Sequence, residues 1–248
     1  MRDQGSGIGD RRFARSEALL GAAAMAKLAG ARVLVVGVGG VGSWCAEALV
    51  RTGVGHVTLV DDDVVAESNL NRQCPATAKT LGRPKVEAMA ERLREINPVC
   101  EVVPRNVRWP IEQSNNRTIE QFSLVVDAID SVDCKAELIL GATEAGVPLV
   151  SSMGAALRLD PTLVKVTRFE KVEGDGLARV LRQRFKKLGR FPAAKFACVW
   201  SGEQTVVAPV AESGDGTVFK GSLMPVTATF GMCLASEAIR ILTKGETK

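Results

Sequence analysis

Four charged residues and a run of glycines carry the chemistry that can be read in this sequence. Val33-Leu34-Val35-Val36-Gly37-Val38-Gly39-Gly40-Val41-Gly42 is an apolar run that enters a glycine-rich turn, with a helix-compatible stretch, Ser43 to Arg51, directly after it. Gly37 permits a tight turn, Gly39 lets backbone approach a phosphate, and Gly42 lets a helix pack close on the strand. The unsatisfied amides of that helix start form an anion site. Asp61 ends the next apolar run, His56 to Val60, where an acid can bind ribose hydroxyls. Arg72 and Lys85 follow in a polar segment, and Val125-Val126-Asp127-Ala128-Ile129-Asp130-Ser131 brings a further carboxylate. Two cations beside a metal-type acid are the parts for triphosphate chemistry: the cations neutralise phosphate charge, and Asp130 can hold magnesium. A dinucleotide dehydrogenase needs no such convergence.

Other chemistries are narrowed by what the chain lacks. His56 is the only histidine, at the start of a strand, which argues against a Ser-His-Asp triad and against His-rich metal sites; tyrosine is absent. The six cysteines, Cys45, Cys74, Cys100, Cys134, Cys198 and Cys233, show no CxxC spacing, so no zinc is expected and reduced, buried thiols of a cytoplasmic protein are. The net charge of +4 is compatible with a nucleic-acid partner without demanding one. Leu223 to Leu242 has the length of a membrane span but contains Thr227, Thr229, Ser236, Glu237 and Arg240, so a helix packed on a sheet is expected and membrane association is not.

These residues need a scaffold that brings strand ends together. Residues 1–10 read as a flexible N-terminus with no signal-peptide core, and 11–248 as a single domain with a 46% hydrophobic composition overall. Arg11 to Leu28 reads as helical. Strands Arg32–Val36, His56–Val60, Glu101–Val103, Leu124–Asp127 and Val147–Ser151 then alternate with helices at Ser43–Arg51, Pro84–Ile96, Ile111–Gln121 and Asp133–Ala145. Such alternation predicts an α/β, Rossmann-like fold: a mostly parallel sheet covered by helices on both faces, with ligand at the carboxyl ends of the strands. Thr162 to Phe169 alternates as added strand, Gly174 to Lys187 reads as a cationic helix, Phe191 to Val210 as irregular, and a final apolar helix follows Pro225.

GVGGVGS, the block DDDVVAESNLNRQ, the GRPKVE turn and the DAIDS strand end together resemble the ThiF-type, ubiquitin-activating-enzyme superfamily, whose members adenylate a carboxylate with ATP. The resemblance runs from about Arg12 to Leu242. It implies that Gly37, Gly39, Gly40 and Gly42 flank the phosphates, that Asp61 binds ribose, and that Asn69, Arg72 and Lys85 contact the triphosphate. It further implies that Asp130 binds Mg2+, that Ser131 is a neighbouring polar contact, and that Asp63 supports its loop. RRFARSEALLG is similar to an amino-terminal helix that carries arginines to the triphosphate, Arg12 and Arg15 here, in some members from the partner subunit; a homodimer is therefore implied.

Members that activate sulfur-carrier or ubiquitin-like proteins usually carry paired CxxC motifs, which this chain does not. With GSWCAEALVRTGVGHVTLVD, INP, VVDAIDSVDCKAELI (including Lys135) and TATFGMCLASEAI, it resembles the zinc-less branch, the tRNA threonylcarbamoyladenosine dehydratases. The implied reaction turns the threonylcarbamoyl carboxylate into an acyl-adenylate, after which the ureido group displaces AMP and closes a ring; proximity then makes an enzyme nucleophile unnecessary. The implied partner is tRNA carrying threonylcarbamoyladenosine. Arg179, Arg182, Arg184, Lys186, Lys187, Arg190 and Lys195 are the cations expected to meet it, while Phe185, Phe191 and Phe196 read more readily as core than as base-stacking residues. The alternatives are an adenylyltransferase for a sulfur-carrier or ubiquitin-like protein, a scaffold without turnover, and an NAD dehydrogenase. Cys198 and Cys233 read as packing residues, and a sulfur-relay protein stays open as a partner.

Overall fold

The computed structural model describes residues 11–110, 119–204, 211–212 and 218–245. The expected flexible N-terminus and most of the helix expected at Ile111–Gln121 lie outside them.

The strands of the main sheet are β1 (Arg32–Val36), β2 (His56–Val60), β3 (Glu101–Arg105), β4 (Leu124–Asp127), β5 (Leu149–Ser152), β6 (Val164–Arg168) and β7 (Ala197–Ser201). Short continuous runs of β-branched and leucine side chains build the central strands β1, β4 and β5, which are buried on both faces, while the outer strands β3 and β6 are partly exposed. The sheet runs β3-β2-β1-β4-β5-β7-β6, all parallel except β6, which pairs antiparallel with β7. A separate two-stranded pair joins Ala211–Glu212 to Val218–Phe219.

Val33 and Val35 point to one face, where α2 (Ala22–Gly30), α3 (Gly42–Thr52), α4 (Lys85–Ile96) and the C-terminal helix α7 (Met224–Leu242) pack through Leu28, Leu49, Met89, Leu93, Phe230 and Leu234. Leu34 and Val36 point to the other face, covered by α5 (Val132–Glu144) and α6 (Gly176–Leu188) through Leu138, Ile139, Leu181 and Phe185. The α/β Rossmann-like fold expected from the sequence is the fold observed. Among the described residues no helix is long and apolar enough to cross a membrane.

Three expectations are corrected. The N-terminal helix is two helices, α1 (Ala14–Leu20) and α2, because Gly21 adopts φ +84° and breaks the helical path. The stretch expected to be irregular contains β7, which inserts between β5 and β6; its apolar run, Ala197-Cys198-Val199-Trp200, is too short to stand out from the chain around it. The alternating stretch at 162–169 opens with a 3-10 turn, Pro161–Leu163, before β6.

Strand order reverses between β1 and β4, so the chain leaving their paired carboxyl ends runs to opposite faces, to α3 and to α5, and leaves a crevice where open α/β sheets place ligands.

Candidate nucleotide site at the strand ends

The turn after β1 is built around two close approaches. Gly37 has φ +91°, and a Cβ there would lie 2.6 Å from the Ala128 carbonyl oxygen beyond β4. A Cβ on Gly42 would lie 1.8 Å from the Gly37 carbonyl, so α3 can start only with glycine at that position. At Gly39 a Cβ would meet only the Gln73 side chain at 3.9 Å, which leaves that side of the turn open to a ligand. The Ser43 hydroxyl donates to the Gly39 carbonyl and accepts from the Cys74 amide, tying the turn to the next loop.

Asp61 closes β2 and braces this turn. Its Oδ2 accepts the Val38 amide at 2.6 Å, and its Oδ1 accepts the Asp63 amide at 2.9 Å. Burial pushes its carboxyl above the usual range, opposed by the charge of Lys85 and by those two amides. Each oxygen keeps a second lone pair, which is what a ribose hydroxyl needs.

Arg72 lies against the same turn. A Cβ on Gly40 would meet the Arg72 stem at 3.3 Å, and the Trp44 indole donates to the Arg72 carbonyl. Its guanidinium donates to the Ser68 carbonyl and to Asn71 Oδ1, and burial lowers its pKa. Asn69 is buried and its Oδ1 accepts the Ala66 amide, so half of this side chain is used in capping a 3-10 turn, Glu67–Asn69. Lys85 opens α4 and reaches Asp63 at 2.6 Å. The sequence suggests that Arg72 and Lys85 are exposed; Arg72 is half-buried and Lys85 only 5% exposed, because the 63–65 and 82–85 segments pair backbone to backbone over its stem. The ion pair with Lys85 ties the loop of Asp63 to the start of α4.

Asp130 sits on the loop between β4 and α5, two residues past the Ala128 carbonyl that abuts Gly37. Its carboxylate is exposed, with no ion pair among the described residues. An oxygen donor not engaged by any cation suits a hard divalent ion. Ser131 is the N-cap residue of α5 but makes no side-chain capping bond. The carboxylates of Asp61, Asp62 and Asp63 also gather within 4.8 Å of one another, with Lys85 already among them.

One cation here escaped the sequence reading. Arg108, beyond β3, lies close to the Cys134 sulfur and to the Asp62 and Asp63 carboxylates, and so borders the crevice. No motif marks it; only the fold brings the β3 end beside the start of α5.

Arg15 does not join this group within its own chain. Arg12 Nη1 donates to Asn97 Oδ1 at 3.0 Å, and Phe13 lies against Gly53. Asn97 and Gly53 both precede strands, so α1 is fixed at the amino edge of the sheet. Arg15, one helical turn further along, is separated from the crevice by the length of a strand, roughly 16 Å.

His56 pairs with Glu101 at that same amino edge, consistent with a structural role. All six cysteines are free, and five are buried. Burial pushes Cys74 up to about 12 and Cys100 to about 11, and raises Cys198 and Cys233 as well, so these four are not poised as thiolates.

A glycine turn, a strand-end acid, two cations and a carboxylate with no ion pair among the described residues, gathered at the switch point of a parallel sheet, define a nucleotide-binding α/β protein. Comparison with known proteins agrees. Residues 13–248 match the ThiF family model. The chain belongs to the ThiF family. It is 40% identical to the tRNA threonylcarbamoyladenosine dehydratase of Escherichia coli, over 93% of this chain and 92% of that protein. It is 41% identical to the Bacillus subtilis protein of the same name, over 71% and 70%. The crystal structure of the E. coli dehydratase in complex with ATP superimposes with a TM-score of 0.81 at 38% identity, covering 96% of this chain and 97% of that one. The molybdopterin-synthase adenylyltransferase of Salmonella typhimurium is 34% identical, over 86% of this chain and 73% of that protein.

Proposed function

We propose that the chain catalyses the ATP-dependent cyclisation of threonylcarbamoyladenosine in tRNA. The observation that carries this reading is the convergence of Arg72, Lys85 and Asp130 on the glycine turn, in a chain similar to the dehydratases over nearly its whole length.

The threonylcarbamoyl carboxylate attacks the α-phosphate of ATP, and pyrophosphate leaves. The ureido group of the same side chain then attacks the acyl carbon and AMP departs, with net loss of water. Gly37, Gly39, Gly40, Gly42 and the start of α3 receive the phosphates, and Asp61 the ribose. Arg72 and Lys85 offset the charge that moves onto the leaving pyrophosphate. Asp130 holds Mg2+, which when bound neutralises phosphate charge; Ser131 and Asn69 line the approach. Ring closure is intramolecular, so positioning replaces a nucleophile. High thiol pKa values are consistent with that, and a sulfur-relay partner is no part of the proposal.

The partner surface is narrower than the count of cations suggests. Arg182 donates to the Phe169 and Val172 carbonyls and stacks over the Phe169 ring; Arg184 pairs with Asp133, and Arg190 with Glu144 and Glu137. Phe185 and Phe196 are buried around Phe169. Arg179, Lys186, Lys187 and Lys195 are left exposed to meet tRNA phosphates, and Phe191, expected in the core, is exposed beside them instead. Because Arg15 is fixed at the far edge, it serves the site of a second copy, and the enzyme acts as a homodimer. Free thiols and a tRNA substrate support a cytoplasmic location.

The test is incubation of purified protein with tRNA bearing threonylcarbamoyladenosine, ATP and Mg2+, followed by nucleoside mass spectrometry. Loss of one water from the modified nucleoside with stoichiometric AMP supports the reading; unchanged nucleoside overturns it. The similarity to adenylyltransferases favours a second reading, activation of a carrier protein, which pyrophosphate exchange stimulated by a protein ending in Gly-Gly would reveal.

A further inference from the structure

Beneath the crevice lies a charged group that no step above uses. Lys135, on the first turn of α5, and Asp127, the last residue of β4, are both wholly buried, with Nζ 2.7 Å from Oδ2. Ser151, the register partner of Asp127 on β5, donates its hydroxyl to the same oxygen at 2.6 Å and is buried too. The other oxygen, Oδ1, accepts the Ile129 amide at 3.2 Å. The backbone amide of Lys135 donates to the Ser131 carbonyl at 2.9 Å.

The Asp127 carboxylate therefore holds Ile129, just before Asp130, and its ion pair with Lys135 fixes the first turn of α5, whose helical hydrogen bond from the Lys135 amide holds Ser131, just after it. The Ala128 carbonyl on the same loop packs against Gly37, which fixes the loop against the phosphate turn. A buried ion pair adds little net stability over well-packed apolar side chains of the same volume. The surrounding positions of α5, Ala136, Leu138, Ile139 and Leu140, are apolar and would accept such a replacement. All members of the network lie at the carboxyl edge below the crevice, and none reaches solvent, so none touches substrate.

We propose that Asp127, Lys135 and Ser151 are positioning residues that set the Asp130 carboxylate for Mg2+. This rests on the reading of Asp130 given above. Outer partners of a metal ligand act by fixing its orientation, and their loss weakens metal binding without removing a ligand.

The test is Asp127→Asn/Lys135→Met, which removes both buried charges at nearly constant volume. Three quantities are measured on the purified full chain: melting temperature, ATP binding in EDTA, and the Mg2+ concentration giving half of the ATP-dependent rise in melting temperature. The expected variant is folded, binds ATP without metal as the parent does, and requires about tenfold more Mg2+ or beyond, with kcat reduced. A folded variant with the parent's Mg2+ requirement overturns the proposal. If the double variant does not fold, Ser151→Ala takes its place: losing one hydrogen bond to Asp127 should raise the Mg2+ requirement about three- to tenfold, and no rise overturns the proposal. Asp130→Asn is measured alongside. If it keeps the parent's response, the metal reading of Asp130 falls; if it loses the response while the folded double variant, or Ser151→Ala in its place, keeps it, only the positioning role falls.

Discussion

Lys85 and Asp63 are joined twice: the Lys85 ammonium lies 2.6 Å from Asp63 Oδ2, and the Lys85 amide donates to the Asp63 carbonyl at 3.0 Å. The pair is lopsided, the lysine side chain 7% exposed and the aspartate 66%. The lysine stem is thus fixed by packing, and in the proposed reaction Asp63 holds its charge until the triphosphate displaces it. Lys85→Met should lower kcat by about 10²–10³, roughly 3–4 kcal/mol of transition-state stabilisation, with little change in melting temperature. Asp63→Ala should cost less, about tenfold, because it removes a holder and leaves the phosphate contact. AMP release under single-turnover conditions measures both. Equal losses would place Asp63 in contact with the reacting groups.

The placement of Arg15 predicts complementation. Arg15→Ala and Lys85→Met proteins, each inactive alone, should regain activity when mixed and allowed to exchange subunits. Half of a random mixture is hybrid, and each hybrid has one site with both residues intact, so recovery should approach about a quarter of the parent activity. No recovery in a mixture shown to contain hybrids would mean that Arg15 does not act across the interface.

The basic helix should divide by function. Lys186→Glu/Lys187→Glu should weaken tRNA binding and flatten its salt dependence by about two units of slope at most, because two phosphate contacts are lost. Melting temperature should hold. Arg182→Ala should do the reverse, lowering stability by unpairing the Phe169 and Val172 carbonyls and leaving the salt slope unchanged. Filter binding across a salt series and thermal melting distinguish them.

Glu47 sets an acid limit on the fold. Burial raises its pKa, but hydrogen bonds from Arg92, Cys74 and Arg51 outweigh this and lower it from 4.5 to about 2. A depressed carboxyl contributes fully above its unfolded value and loses that contribution as pH falls through its folded value. Stability should therefore decline between about pH 4.5 and 2, and Glu47→Gln should be less stable at neutral pH with a shallower decline over that window. Glu47 joins α3 to α4 and to the Cys74 loop, so metal-free ATP binding should weaken along with melting temperature.

Much of this protein is written in local sequence. The strands β1, β2 and β4 fall where their apolar runs stand, because a parallel strand buried on both faces admits almost nothing but aliphatic side chains. The glycine turn is equally plain: a backbone that must pass within contact of Ala128 leaves no room for a Cβ at Gly37 or Gly42. Residue type and spacing likewise nominate Arg72, Lys85 and Asp130, since phosphate and magnesium chemistry accept few substitutes.

Tertiary structure decided what those side chains do with one another. Burial of Lys85 and the ion pairs that engage Arg184 and Arg190 depend on groups distant in sequence, and the carbonyls that take up Arg182 lie in the turn before its helix. Arg108 reached the crevice, and Arg15 was kept from it, by packing that no local pattern encodes. β7 found its place between β5 and β6 for the same reason: edge pairing is settled by which strand can complete the open backbone, a property of the assembled sheet and not of the run that joins it.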